Sequence, residues 1–149
     1  MNPIALKRGI QKAIREVPKI IDDAIKESKL EDINRENLLQ GKDSEGNDMP
    51  FYSPNSEYGF EKMRRNPKNR GRWDLRNTGE YHRGIYTEIK RSNVLFKQRV
   101  RNAKTIWIER AMERANRVSL GIPQTKMDQI LIEKAPQIKR EIEQIITSA

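Results

Sequence analysis

Between Ile85 and Val100 the apolar residues of this chain stop recurring at every third or fourth position and begin to alternate. Ile85, Thr87 and Ile89 alternate with Tyr86, Glu88 and Lys90; after Arg91-Ser92-Asn93 come Val94-Leu95-Phe96, then Gln98 and Val100. Period two is the spacing of a strand, whose successive side chains point to opposite faces. Two such runs joined by a polar turn predict a β-hairpin. Two strands alone are marginal in water, so a third strand, a packed helix or a neighbouring subunit must cover the apolar face.

On both sides of this segment the spacing is helical. Ile10, Ile14, Val17, Ile21 and Ile25 recur at steps of three or four, which predicts an amphipathic helix over Pro3 to Ser28. Pro3 suits the first turn, where its missing N–H has no intrahelical partner anyway. Pro18 removes one hydrogen bond within the helix and clashes with the carbonyl four residues earlier. Either the helix kinks near Val17 or two shorter helices meet there; the stripe keeps its phase, which favours the kink. A shorter helix is expected over Leu30 to Leu39.

Downstream, Ile108, Ala111, Met112, Ala115 and Val118 predict a helix over Thr105 to Val118, broken by Gly121 and Pro123. Thr125 with Asp128 suits a capping box for a last helix carrying Met127, Leu131, Ala135, Ile138, Ile142 and Ile145, with Pro136 as its interruption. These stripes fit core or subunit contacts. The expected class is α+β: kinked N- and C-terminal helices packed beside a small antiparallel sheet that includes the hairpin near 85–100. At 149 residues one domain is expected over 1–149, with a long basic loop about 49–79.

That loop follows Gly41 to Asp48, a run of turn formers that lacks the acidic spacing and closing Glu of a calcium-binding EF-hand and reads as a turn. Met49 to Arg72 then holds Pro50, Pro54, Pro67, Gly59 and Gly71, with Phe51, Tyr52, Tyr58 and Phe60 between them, and shows no clear period. Aromatics interleaved with cations can stack on single-stranded bases; the plainer alternative, preferred here, is that they pin the loop to the domain.

Charge is concentrated in the same region. From Glu61 to Lys104 there are fourteen Lys/Arg against four Asp/Glu, while the remainder holds sixteen against seventeen, so the net +9 resides in the middle third. Such a segment can meet nucleic acid or an acidic protein, or be a solvated basic surface. The candidate contacts for a partner or a DNA channel are Arg64, Arg65, Arg70, Arg72, Arg76, Arg83, Lys90, Arg91, Lys97 and Arg99. The hydrophobic share of 35% is low beside a charged share of 34%, which suits a thin molecule or one completing its core with partner subunits.

Catalytic chemistry finds no foothold. Cysteine is absent, which excludes disulfides, thiol catalysis and Cys-ligated zinc and is compatible with a reducing cytoplasm. The single histidine, His82, has no second histidine for a metal site and is expected at a surface or interface. There is no GxxxxGK[ST] or GxGxxG phosphate loop. The acidic residues of the basic third, Glu61, Asp74, Glu80 and Glu88, have no metal-nuclease spacing. No cofactor, metal or enzymatic activity is expected. No apolar run approaches the ~20 residues that span a bilayer, so no membrane partner is expected either.

One stretch carries a resemblance. Trp73 to Ile85 (WDLRNTGEYHRGI) is similar to the "Leu-x-x-Thr/Ser-Gly-x-(aromatic or Leu)-x-x-(Ser/Gly)-Ile" signature that precedes a strand in phage tail-completion and virion-morphogenesis proteins. Leu39 to Gly46, followed by Tyr52-Ser53, resembles the "Gly-x-Asp-x-x-Gly…Tyr-Ser" segment of relatives from phages of the Bacteroides group, and Leu120-Gly121-Ile122-Pro123 their short helix entry. The ordered features cover about Ile33 to Ile146. In physical terms Gly79 can take a positive φ and turn the chain into the strand, Thr78 or Asn77 can hold that turn, and Leu75 can anchor the approach in the core.

The resemblance implies a structural subunit of a homo-oligomeric ring that joins the phage head connector to the tail. It would be assembled in the host cytoplasm and carried in the virion neck. Neighbouring connector and tail-tube proteins would be its partners, with non-specific contact to packaged DNA as a further expectation. The alternative is a small basic nucleic-acid-binding regulator, whose binding would fall steeply with salt.

Overall fold

The side chain of Asn2 accepts a hydrogen bond from the Ile4 N–H (2.9 Å) and caps the first helix, α1 (Pro3–Glu27). The remaining elements of the computed structural model, which describes residues 2–53 and 56–149, are α2 (Leu30–Leu39), α3 (Glu57–Arg65), a 3₁₀ turn (Pro67–Asn69), α4 (Glu80–Gly84), β1 (Ile85–Lys90), β2 (Asn93–Gln98), α5 (Ala103–Arg114) and α6 (Gln124–Thr147). With 60% helix, a bent N-terminal helix and a two-stranded antiparallel sheet, the fold is α+β, as expected. The chain groups into two compact units. The first comprises Met1–Lys29, Ile89–Val94 and Thr125–Ala149; the second comprises Leu30–Glu88 and Leu95–Gln124.

In the first unit α1 runs unbroken through Pro18, so one bent helix and not two shorter ones spans the segment. Its partner is α6. Gly9 lies so close to α6 that an added Cβ would stand 2.4 Å from the Ile146 carbonyl oxygen. At the other end of α1, Glu27 accepts from Lys134 (3.3 Å) and Gln137 (3.2 Å), so the two helices are antiparallel. The residues buried on α1 are Gly9, Ala13, Ile20, Ala24 and Ile25. Small side chains line the close approach, and the isoleucine stripe is buried only at its C-terminal end. Ile10 and Ile14 stay 42% and 67% exposed. On α6 only Ile130 is buried, a position outside the expected stripe. That helix begins at Gln124, so Thr125 lies within its first turn and not at the cap.

The hairpin turn is tighter than the three-residue Arg91-Ser92-Asn93 turn expected. Arg91 and Ser92 alone form it, both at positive φ (52° and 64°), as a two-residue turn matched to strand twist requires. The Ser92 N–H donates to Asp22 of α1 at 2.8 Å.

The core of the second unit is Leu38, Met49, Tyr81, Ile85 and Met112, with Trp73, Leu75, Ile108 and Leu120 packed against it. Polar side chains fasten its connections. Buried Asn34 of α2 donates to the Ser119 carbonyl (2.8 Å) and accepts from the Gly121 N–H (3.2 Å). Buried Gln98 at the end of β2 donates to the Tyr81 carbonyl (2.7 Å). The turn after α2 is organised by Asp43, whose carboxylate accepts from the Glu45 and Asn47 N–H groups. That is turn chemistry, and no group of three metal-ligating side chains occurs among the described residues. The helix α5 stops at Arg114, with Asn116 at φ 57°, earlier than the stripe implied; Val118 is consequently outside it and 56% exposed.

Candidate functional site

The segment expected to be a long irregular loop holds structure of its own. Ser56 caps α3 by accepting from the Gly59 N–H (3.0 Å), and the helix ends in Lys62, Arg64 and Arg65, where cations favour the dipole. Its apolar residues fall outside a readable stripe because its buried positions are Gly59 and Lys62. Pro54 and Asn55 lie outside the described residues.

Lys62 points inward to Asp74, and this pair centres a polar knot. Asp74 is fully buried. Its carboxylate accepts from Lys62 Nζ (2.8 Å), the Tyr52 hydroxyl (2.9 Å), Asn66 Nδ2 (2.9 Å), Asn69 Nδ2 (3.0 Å) and the Arg76 N–H (3.1 Å). Burial pushes the Asp74 pKa up, but the hydrogen bonds from Asn66, Lys62, Arg76 and Asn69 outweigh it and hold the carboxyl below its ordinary value. Burial, and then the neighbouring Asp74 charge, push the Tyr52 phenol well above its ordinary value. His82 is buried, contrary to the expectation of a surface or interface residue, and its Nε2 donates to the Asp74 carbonyl at 2.6 Å. Burial lowers its pKa and keeps the ring neutral. A carboxylate so enclosed and so fully bonded orders the chain around it; it has no open position for a substrate. Tyr52 therefore pins the loop, as the plainer alternative held, whereas Phe51, Tyr58 and Phe60 stay exposed.

Beside the knot lies a cleft of about 410 Å³. Tyr52, Trp73, Leu75, Arg76 and Asn77 contribute one side, Tyr58 of α3 another, and Lys104, Trp107, Ile108 and Ala111 of α5 the third. Tyr52 and Tyr58 meet edge to face with centroids 5.6 Å apart. Trp107 is 65% exposed. Leu75 holds φ 57°, a conformation few side chains adopt, and the adjacent bond from Arg76 N–H to Asp74 fixes it. Leu75 packs on the core as expected. Gly79 does take a positive φ (84°), but it leads into the single-turn helix α4 and not directly into the strand. Thr78 supports the turn through a long bond from the Glu80 N–H (3.4 Å).

The ten cations singled out from the sequence are divided between the two units and among separate partners. Arg64 and Arg65 both hold Glu61, and Lys97 holds Glu88 across the hairpin. Arg72 donates to the Met49 carbonyl, stacks 4.0 Å from the Phe51 ring and approaches Asp48. Arg83 folds back on the Thr78 carbonyl and Arg99 lies over Tyr86. Arg70 and Arg72 share a polar hollow with Lys42 and Lys68, where Glu36 and Asp48 also lie. Lys90 and Arg91 belong to the first unit, at the hairpin tip. Of the ten, only Arg76 lines the aromatic cleft. The sequence reading missed Lys104 and Trp107, although Trp107 stands four residues before Ala111 at the edge of the apolar stripe of a predicted helix. Comparison with protein-family models, with curated proteins and with solved structures finds no match to this chain.

Proposed function

We propose that the protein is a non-catalytic assembly subunit of a phage virion that joins the head connector to the tail as part of a homo-oligomeric ring. The observation that carries this reading is the apolar groove of the first unit. Ile21 and Ile25 of α1 and Met127, Leu131, Ala135, Ile138 and Ile142 of α6 line it, and Ile10 and Ile14 continue the α1 stripe into solvent. A two-helix pair that leaves such a stripe uncovered gains by burying it against another subunit, which is how ring subunits complete their cores. The signature from Leu75 to Ile85 supports the finer assignment to the neck. No described helix is long and apolar enough to cross a membrane.

The nucleic-acid alternative draws less support, because much of the positive segment is occupied by its own carboxylates. Electron microscopy of phage particles made without the protein tests the assignment. Filled heads and separate tails are expected; joined, infectious particles would overturn it.

A further inference from the structure

The aromatic cleft of the second unit combines two features that point to one kind of ligand. Its walls are Tyr52, Tyr58, Trp73, Leu75, Trp107 and Ile108, an apolar concavity of a size that admits one large side chain with its adjoining backbone. Its floor is already built, since Trp73, Leu75 and Ile108 pack on the core and Asp74 fixes the segment that carries Trp73 and Leu75. Little ordering is left for a ligand to impose. Tyr58 and Trp107, 52% and 65% exposed, still hold apolar surface that an occupant would cover.

The second feature is charge. Arg76 and Lys104 are in the lining, and no Asp or Glu is. Among the described residues neither makes an ion pair, whereas nearby Lys62, Arg64, Arg65 and Arg101 all do. The two cations of the lining are therefore without a carboxylate of this chain, and no acidic side chain stands in the cleft to compete with a ligand's.

We propose that this cleft docks an acidic segment of a protein partner, which inserts one large apolar side chain and sets its flanking carboxylates against Arg76 and Lys104. Single-stranded nucleic acid fits less well, since it needs a continuous basic track for its phosphates and the cleft offers only Arg76 and Lys104. The proposal rests on the reading of the chain as a docking subunit and names the chemistry of one partner.

Trp73 and Trp107 are the only tryptophans in the chain and both line the cleft, so intrinsic fluorescence reports its occupancy. The full chain would be titrated with the blocked pentapeptide Glu-Asp-Phe-Asp-Glu. Its Lys-flanked counterpart, its Phe-to-Ala counterpart and a short oligothymidylate serve as comparisons. A saturable change with the acidic Phe peptide alone is expected, weakened roughly tenfold or more by Arg76→Gln with Lys104→Gln and by Trp107→Ala. All three side chains are exposed, and circular dichroism checks that the variants fold. No saturable change, equal binding of the Lys-flanked peptide, or tighter binding of oligothymidylate would each overturn the proposal. Particle imaging decides the neck assignment separately, so failure of one is distinguishable from failure of the other.

Discussion

Replacing Lys62 by Met tests whether the knot at Asp74 holds the second unit together. The Lys62 side chain is 8% exposed and that of Asp74 1%, with Nζ 2.8 Å from the carboxylate. Removing one partner of so buried a pair leaves the other charge uncompensated, at a cost of about 3 kcal/mol or more. The lower end applies here, because Tyr52, Asn66, Asn69 and the Arg76 N–H still donate to the carboxylate. For a chain of this length that lowers the thermal midpoint by roughly 6–12 °C.

Urea unfolding followed by tryptophan fluorescence is the assay, since Trp73 is next to Asp74 and Trp107 is in the same unit. The loss has a pH signature. The Asp74 carboxyl is held low in the folded state, so its stabilisation is present above the ordinary carboxylate pKa, about 3.9, and is lost as pH falls through the folded value. The gap between wild type and Lys62→Met therefore narrows as pH drops below about 4. Adding Asp74→Leu should not rescue the variant, as it would for an isolated pair, because Asn66, Asn69 and Tyr52 would lose their acceptor. A change under about 1 kcal/mol, or full rescue by the double replacement, would refute the reasoning.

Three further outcomes are expected. Gly84→Ala would place a Cβ 1.8 Å from Gln98 Oε1 and 2.8 Å from Val100 Cγ2. It should expel the buried Gln98 amide and cost about 1–3 kcal/mol in thermal unfolding. Replacing Arg91-Ser92 by Asn-Gly relieves two side chains at positive φ and should raise stability by about 1 kcal/mol, read as a higher midpoint by circular dichroism. Stability should also fall at both pH extremes. Burial lowers the His82 pKa, so the unfolded chain binds the extra proton and stability declines as pH falls below about 6.5. Burial raises the Tyr52 and Tyr81 pKa values, so stability declines as pH rises past about 10, and Tyr52→Phe should flatten that alkaline limb.

The local elements are legible along the chain: α1 with its proline bend, α2, the hairpin and the stretch of α6. Each is set by interactions within a few residues, such as apolar period, caps and turn residues, and these are readable along the chain. The positive φ open to Gly79 was legible too, though not that it leads into α4 and not directly into the strand.

Tertiary structure alone decided which faces are buried. On α1 the isoleucine stripe looked like the contact, but only Ile25 of it is buried; near the start of the helix close approach to Ile146 selected Gly9, because a backbone can come near only where side chains are small. It also decided the charges. Nothing local marks Lys62 as buried or separates it from Lys104, for the sorting depends on Asp74 and Tyr52, brought together from separate parts of the chain. The basic third of the sequence thus resolved into cations that hold carboxylates, such as Lys62, Arg64, Arg65 and Lys97, and others that do not, of which Arg76 and Lys104 line the cleft beside exposed Trp107.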